Sequence, residues 1–115
     1  MKELTNEFKK LRYCIPKNST IYLEIDLIRL KDFFLKSTHK KVLELILFEF
    51  KKIIGKGGNL IVPSFTYSWG KDKKEKIFDI KKTLPKTGVF PNFLIKKREV
   101  LRTKDPMFSF LIKSP

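Results

Sequence analysis

Three stretches of this 115-residue chain carry side chains suited to holding a ligand that is part apolar and part polar. The first is Pro63-Ser64-Phe65-Thr66-Tyr67-Ser68, directly after the apolar run Asn59-Leu60-Ile61-Val62. In extended backbone Ser64, Thr66 and Ser68 point one way and Phe65 and Tyr67 the other. Hydroxyls and aromatic walls just past the carboxyl end of a buried strand sit where open α/β sheets build their ligand sites. That combination suits a pantetheine arm or a sugar ring. The second stretch, Glu24-Ile25-Asp26, offers two carboxylates, and a carboxylate pairs well with an ammonium. The third is Arg102-Thr103-Lys104-Asp105-Pro106-Met107-Phe108-Ser109-Phe110. Read without context, Asp105-Pro106 is a turn initiator, and Arg102 is a candidate for an ion pair with Asp79.

Other chemistry-bearing residues carry weaker signals. His39 is the sole histidine and has no partner at metal-ligand spacing, so no metal site is expected. Cys14 is the sole cysteine, excludes an internal disulfide, and has no neighbouring histidine to activate it. Gly55-Lys56-Gly57-Gly58 lacks the spacing of a phosphate-binding loop and precedes a strand instead of a helix. Lys71, Lys73, Lys74 and Lys76 can meet phosphates, but a charged loop is usually just solvated. No catalytic residue is assigned.

The elements that must position these residues follow from pattern. Phe8, Leu11 and Cys14 have helical spacing over residues 6–13, with Thr5 as a cap and Pro16 as a stop. Residues 20–25 (Thr-Ile-Tyr-Leu-Glu-Ile) predict a strand, and residues 26–34 a short helix or loop. Ser37 caps a stronger helix over residues 38–54. Its apolar stripe is Val42, Leu43, Ile46, Leu47, Phe50, Ile53 and Ile54. Gly55, Gly57 and Gly58 supply the left-handed stop, and residues 59–62 form the next strand. Strand, crossover helix and strand make a βαβ unit with two parallel strands. Beyond it, residues 69–75 predict an exposed loop and residues 78–83 an extended segment. A turn at 85–87 leads to a helix over 88–97 with Pro91 near its start. Strands are expected at 100–102 and 107–112.

Composition bounds the class. The length allows one domain or part of one. A hydrophobic fraction of 42% and 11 Phe exclude a disordered chain. No apolar run reaches membrane-spanning length, and no secretory signal opens the chain. One cysteine fits a reducing compartment, so a cytoplasmic location is expected. The net charge is +14, which invites a nucleic-acid reading. Only Arg12, Arg29, Arg98 and Arg102 are arginines, however, and the lysines are spread along the chain. Lysine is the weaker residue for bidentate contacts. A solvated basic surface ranks first, attraction for an anionic cofactor second, and a small basic nucleic-acid-binding module last, as the alternative function.

The order and spacing of Gly58-to-Gly70, Phe78-to-Phe93 and Arg102-to-Phe110 resemble the aminoglycoside N3-acetyltransferase (antibiotic N-acetyltransferase) family. The resemblance runs from about Thr5 to Ile112 and is strongest from Asn59 onward. It implies an α/β fold, three-layer α-β-α with a parallel βαβ core, in which residues 1–115 are the amino-terminal part of a single, incomplete acetyltransferase domain. It implies transfer of an acetyl group from acetyl-CoA to an amine on an amino sugar or aminoglycoside-like acceptor. Ser64, Thr66, Tyr67, Arg102 and Thr103 are then the expected cofactor-binding residues, and Glu24, Asp26 and Asp105 the substrate-binding ones. Two departures stand out. The family commonly has His-Ser-Ser where this chain has Glu24-Ile25-Asp26, and often His before the proline where this chain has Asp105. The second departure is similar to members that modify surface sugars. The family's principal His and acidic partner lie further along than Pro115. The resemblance therefore implies a missing general base in a truncated or split form, with a carboxyl-terminal half or a second copy as a partner.

Overall fold

The computed structural model describes residues 2–36, 38–66, 78–105 and 108–113. The expectations for Ser37, Tyr67, Ser68, the loop at 69–75, Pro106 and Met107 lie outside the described residues. The chain divides into two compact units, Met1–Ile21 with Asp26–Leu60, and Tyr22–Ile25 with Ile61–Lys113.

The first unit is built on helix packing. Helix α1 spans Lys2–Cys14. It begins earlier than the sequence pattern suggests, because Leu4 joins Phe8 one turn apart and both are buried. Thr5 is therefore inside the helix, not its cap. Strand β1 is Thr20–Tyr22. A single 3-10 turn, Leu27–Leu30, and helix α2, Lys31–Lys36, occupy the segment expected as helix or loop. Helix α3, His39–Ile54, has Thr38 at its amino-terminal cap, whose hydroxyl accepts from the Lys41 N–H at 3.3 Å. All seven residues of the expected apolar stripe are buried. Each such side chain contributes about 1.5–3 kcal/mol. The Phe8 ring meets Phe50 edge-on at 5.3 Å, which joins α1 to α3.

One buried residue of α3 was not expected. Glu49 is only 2% exposed. Its two carboxylate oxygens take Arg12 at 3.1 Å and Lys52 at 3.2 Å, so the buried charge is paired on both sides.

Gly55 ends α3 at φ 65, the left-handed region that favours glycine. The following turn is held by Asn18, whose N–H donates to Ile54 O at 2.9 Å and whose Oδ1 accepts from Gly57 N at 3.0 Å. A Cβ on Gly58 would lie 2.5 Å from Ile54 O and 2.7 Å from Ser19 O. Only glycine fits there, and strand β2, Asn59–Pro63, starts at once.

The second unit carries the carboxyl ends of β1 and β2, helix α4 (Val89–Lys97), and strands β3 (Leu101–Arg102) and β4 (Phe110–Lys113). The sheet order is β1-β2-β4-β3. Strands β1 and β2 are parallel, as the βαβ reading requires. Strands β3 and β4 are antiparallel, with Leu101 opposite Ile112 and Arg102 opposite Leu111. The sheet is therefore mixed and the class is α/β, as expected.

Two local expectations are corrected. Strand β1 ends at Tyr22, so residues 23–25 lie outside it, although the Leu23 N–H still reaches Ile61 O at 2.8 Å. Residues 78–83 are not extended. Asp79 Oδ1 accepts from Lys81 N at 2.8 Å and Lys82 N at 3.0 Å, and Thr83 Oγ1 accepts from Asp79 N at 2.8 Å. A carboxylate that bonds backbone two residues on makes a turn, and it outweighs the β-propensity of Phe78 and Ile80. Among the described residues no helix is long and apolar enough to cross a membrane.

Candidate functional site

A cleft of about 300 Å³ opens in the second unit at the carboxyl ends of the parallel strands β1 and β2. Leu23, Glu24 and Ile25 line it from the β1 end, and Val62, Pro63 and Phe65 from the β2 end. The far wall is Lys86 and Thr87 with Phe90 and Pro91 from the first turn of α4. Of the ten described lining residues seven are apolar, and the others supply one carboxylate, one ammonium and one hydroxyl. This is the position that a parallel α/β sheet reserves for ligands.

The wall is sewn together through backbone. Thr87 Oγ1 donates to Pro63 O at 2.7 Å, and Lys86 N donates to Phe65 O at 2.8 Å. The turn before α4 is thus fixed to the segment after β2. Phe65 stacks edge-on against Phe108 at 5.3 Å and Phe110 at 5.2 Å, and Phe110 meets Tyr22 at 6.1 Å. Tyr22 in turn donates its hydroxyl to Glu24 Oε1 at 2.7 Å. That hydrogen bond, followed by burial and the carboxylate charge, holds the Tyr22 phenol above its ordinary pKa.

The residues assigned from sequence fall into distinct places. The expected alternation after β2 is present, with Ser64 and Thr66 fully buried and Phe65 on the cleft. The two hydroxyl residues do not line the cleft. Ser64 is bound into the sheet instead. Its N–H donates to Ser109 O at 2.9 Å, its hydroxyl lies 2.9 Å from Ser109 Oγ, and its carbonyl accepts from Ser109 Oγ at 2.9 Å. Arg102 joins the same cluster through Nε to Ser109 Oγ at 3.0 Å and Nη2 to Ser64 O at 3.1 Å. Its remaining bonds go to the carbonyls of Ile80 and Thr83, not to Asp79. Burial lowers the Arg102 pKa from its ordinary value. Thr103 exchanges two bonds with Phe110, its N–H donating at 2.9 Å and its hydroxyl accepting at 2.8 Å. It thereby extends the β3–β4 pairing.

Of the three acids assigned to substrate, Glu24 lines the cleft. Asp26 belongs to the first unit, where it caps the 3-10 turn by accepting from Ile28 N at 3.1 Å and pairs with Arg29 at 3.3 Å. Asp105 accepts from Phe108 N at 2.8 Å, which is the turn-initiating role. Sequence reasoning missed Lys86, Thr87, Phe90 and Pro91. The signal was the Pro85-Lys86-Thr87-Gly88 turn feeding a helix, which reads as punctuation and not as a wall. Ser109 falls within the strand expected at 107–112 and was not assigned to the site. No histidine or cysteine lines the cleft, and no group of metal-ligating side chains occurs among the described residues.

The sequence model of the family described as Aminoglycoside 3-N-acetyltransferase matches residues 41–113. This chain belongs to that family. Among solved structures, the acetyltransferase fold is similar to a sisomicin-bound AAC-VIa, at 14% identity and TM-score 0.71 over 96% of this chain and 45% of that one. It is similar also to AAC(3)-IVa in complex with apramycin, at 18% identity and TM-score 0.66 over 88% and 38% of the two chains. A third, AAC-IIIb in a binary complex with CoASH, gives 19% identity and TM-score 0.50 over 64% and 33%. The chain thus spans less than half the length of these family structures. No curated protein sequence matches it.

Proposed function

We propose that this cleft is one wall of the acetyl-transfer site of an acetyl-CoA-dependent N-acetyltransferase acting on an amino sugar or aminoglycoside-like amine. The observation that carries the proposal is the cleft's position at the ends of β1 and β2, with Glu24 as the one carboxylate among its described, mostly apolar lining residues, in a chain of this family. About 300 Å³ lies at the small end for ligand pockets and suits a pantetheine arm better than a whole coenzyme. Phe65, Phe90 and Pro91 face that arm in this reading, and Glu24 faces the acceptor ammonium. Ser64, Thr66, Arg102 and Thr103 support the donor side from behind the wall; Tyr67, proposed with them as donor-binding, lies outside the described residues. Asp26 and Asp105 are not carried forward, because their carboxylates cap local turns. The likeness to a CoASH complex and to aminoglycoside complexes supports the assignment of donor and acceptor.

In the reaction the neutral amine nitrogen attacks the thioester carbonyl, the C–S bond breaks, and coenzyme A leaves as its thiolate. The amine must shed a proton to a base within hydrogen-bond reach. No histidine lines the cleft. In this reading the base comes from a carboxyl-terminal segment or a second polypeptide, and residues 1–115 are the amino-terminal part of the domain. The test is calorimetric titration of the purified chain with coenzyme A, pantetheine and an amino sugar, alongside thiol-release assays with and without a carboxyl-terminal partner. Saturable pantetheine binding, and turnover only with the partner, are expected. Robust turnover by the chain alone would refute the missing-base part. Salt-dependent oligonucleotide binding with no response to coenzyme A would replace the proposal by a nucleic-acid function.

A further inference from the structure

Arg102 was first assigned to the cofactor, and its contacts argue for another role. A guanidinium has five N–H donors in a fixed fork and no acceptor. Here Nε donates to Ser109 Oγ, Nη1 to the carbonyls of Ile80 and Thr83, and Nη2 to the carbonyl of Ser64. Among the described residues four donors are therefore engaged inside the unit and one N–H is left, too few for bidentate capture of a phosphate. The face of the guanidinium is covered as well, because its central carbon lies 4.8 Å over the Phe78 ring.

The acceptors belong to three chain segments that converge behind the cleft. Ser64 is the residue after β2 and sits between two cleft residues, Pro63 and Phe65. Ile80 and Thr83 belong to the turn before the Lys86–Thr87 wall. Ser109 opens β4. The same wall is fastened to the β2 end by Thr87 to Pro63 and Lys86 to Phe65. The β2 end and the turn leading to the far wall therefore converge on one side chain that does not line the cleft.

We infer that Arg102 is a positioning residue: it fixes the Pro63–Phe65 segment and the turn leading to Thr87 at the separation that keeps the cleft open, and it does not touch the donor's phosphates. The inference rests in part on the proposed donor site, so its test has one arm that needs no ligand. Arg102→Lys keeps the charge and loses the planar fork. Loss of charge-assisted bonds to carbonyls is expected to raise amide hydrogen exchange at Ser64 and Lys86 by about tenfold or more. Amides in α3 and in the last turn of α4 keep their protection. In the ligand arm, pantetheine affinity falls by about tenfold, while adenosine 3′,5′-bisphosphate, which carries the coenzyme's phosphates but not its arm, binds as to the unaltered chain.

Two results overturn the inference. One is unchanged exchange at Ser64 and Lys86 in Arg102→Lys. The other is weaker bisphosphate binding with a reduced salt dependence, which makes Arg102 a phosphate contact. If the unaltered chain binds neither pantetheine nor coenzyme A, the donor-site proposal fails and the exchange arm still decides the role of Arg102. Should Arg102→Lys not fold, Ser109→Ala removes one acceptor and keeps the arginine, and a smaller loss of protection at the same two amides is expected.

Discussion

The two units are held by different kinds of interaction. The first is organised by an apolar stripe on α3 that seven side chains fill, and its one buried charge, Glu49, is an exception paired from both sides. The second has aliphatic and aromatic core residues too, but its carboxyl-end architecture hangs on polar groups: Ser64, Ser109 and Arg102 tie three segments by named hydrogen bonds. Apolar packing is non-directional and tolerates repacking, whereas a buried polar network is satisfied only in one arrangement. The unit that bears the cleft is thus the one specified by directional bonds. The proposed acetyl-transfer site, which has to place a thioester and an amine within near-contact distance, gains from that arrangement.

The contrast can be broken most forcefully in the first unit. Ile46 is 1% exposed at the centre of the stripe. Ile46→Ala is expected to cost about 2–5 kcal/mol, from lost transfer energy and the residual cavity. Denaturant titration reads this as a lower midpoint with an unchanged slope. Pantetheine binding by the folded fraction should be unaltered, since the change removes packing and not cleft geometry. A cleft effect as large as the stability effect would deny that the units differ in this way.

The converse test lies in the second unit. Ser109→Ala leaves Arg102 Nε and the Ser64 hydroxyl without a common partner at a buried site. The expected cost is about 1–3 kcal/mol, the penalty for a buried polar group left unsatisfied. Unlike Ile46→Ala, it should change ligand affinity and local hydrogen exchange out of proportion to its effect on global stability.

What the sequence revealed follows the same division. Helical periodicity predicted α3, because period and burial coincide at every stripe position. Gly55 and Gly58 were legible because few residues adopt a left-handed φ or fit a Cβ-sized gap against Ile54 O. The βαβ order followed from these two. The cleft was only half legible. Its β1 and β2 ends were foreseen through Glu24 and Phe65, since carboxyl ends of parallel strands are where ligands bind. The alternation after β2 is present at the described residues Ser64, Phe65 and Thr66, and period 2 gives two faces without saying which one a later segment covers. Asp79 shows the same limit: its side chain made a turn that strand propensity hid.

A smaller effect is expected at the start of α3. Thr38 caps the helix through one hydroxyl at 3.3 Å from the Lys41 N–H. Thr38→Ala should cost about 1 kcal/mol. Thermal unfolding should register it in stability alone, with no change at the cleft. It sharpens the comparison, because it too removes a directional bond, but in the unit whose integrity rests on packing.

The smallest effect is at Tyr22, and its sign is set by linkage. The hydrogen bond to Glu24 raises the phenol pKa in the folded chain, with burial and the carboxylate charge adding to it. Folding therefore favours the protonated phenol. The stability this supplies is fully present below the ordinary tyrosine value of about 10 and is lost as pH rises through the raised one. The group is largely exposed, so the contribution is slight. Denaturation midpoints from about pH 9 upward should fall more steeply for the unaltered chain than for Tyr22→Phe. Equal slopes would mean that the Tyr22–Glu24 bond does not form in solution. Glu24 would then have no orienting partner for its proposed contact with an acceptor amine, and the directional character of the second unit would stop short of the carboxylate that lines its cleft among the described residues.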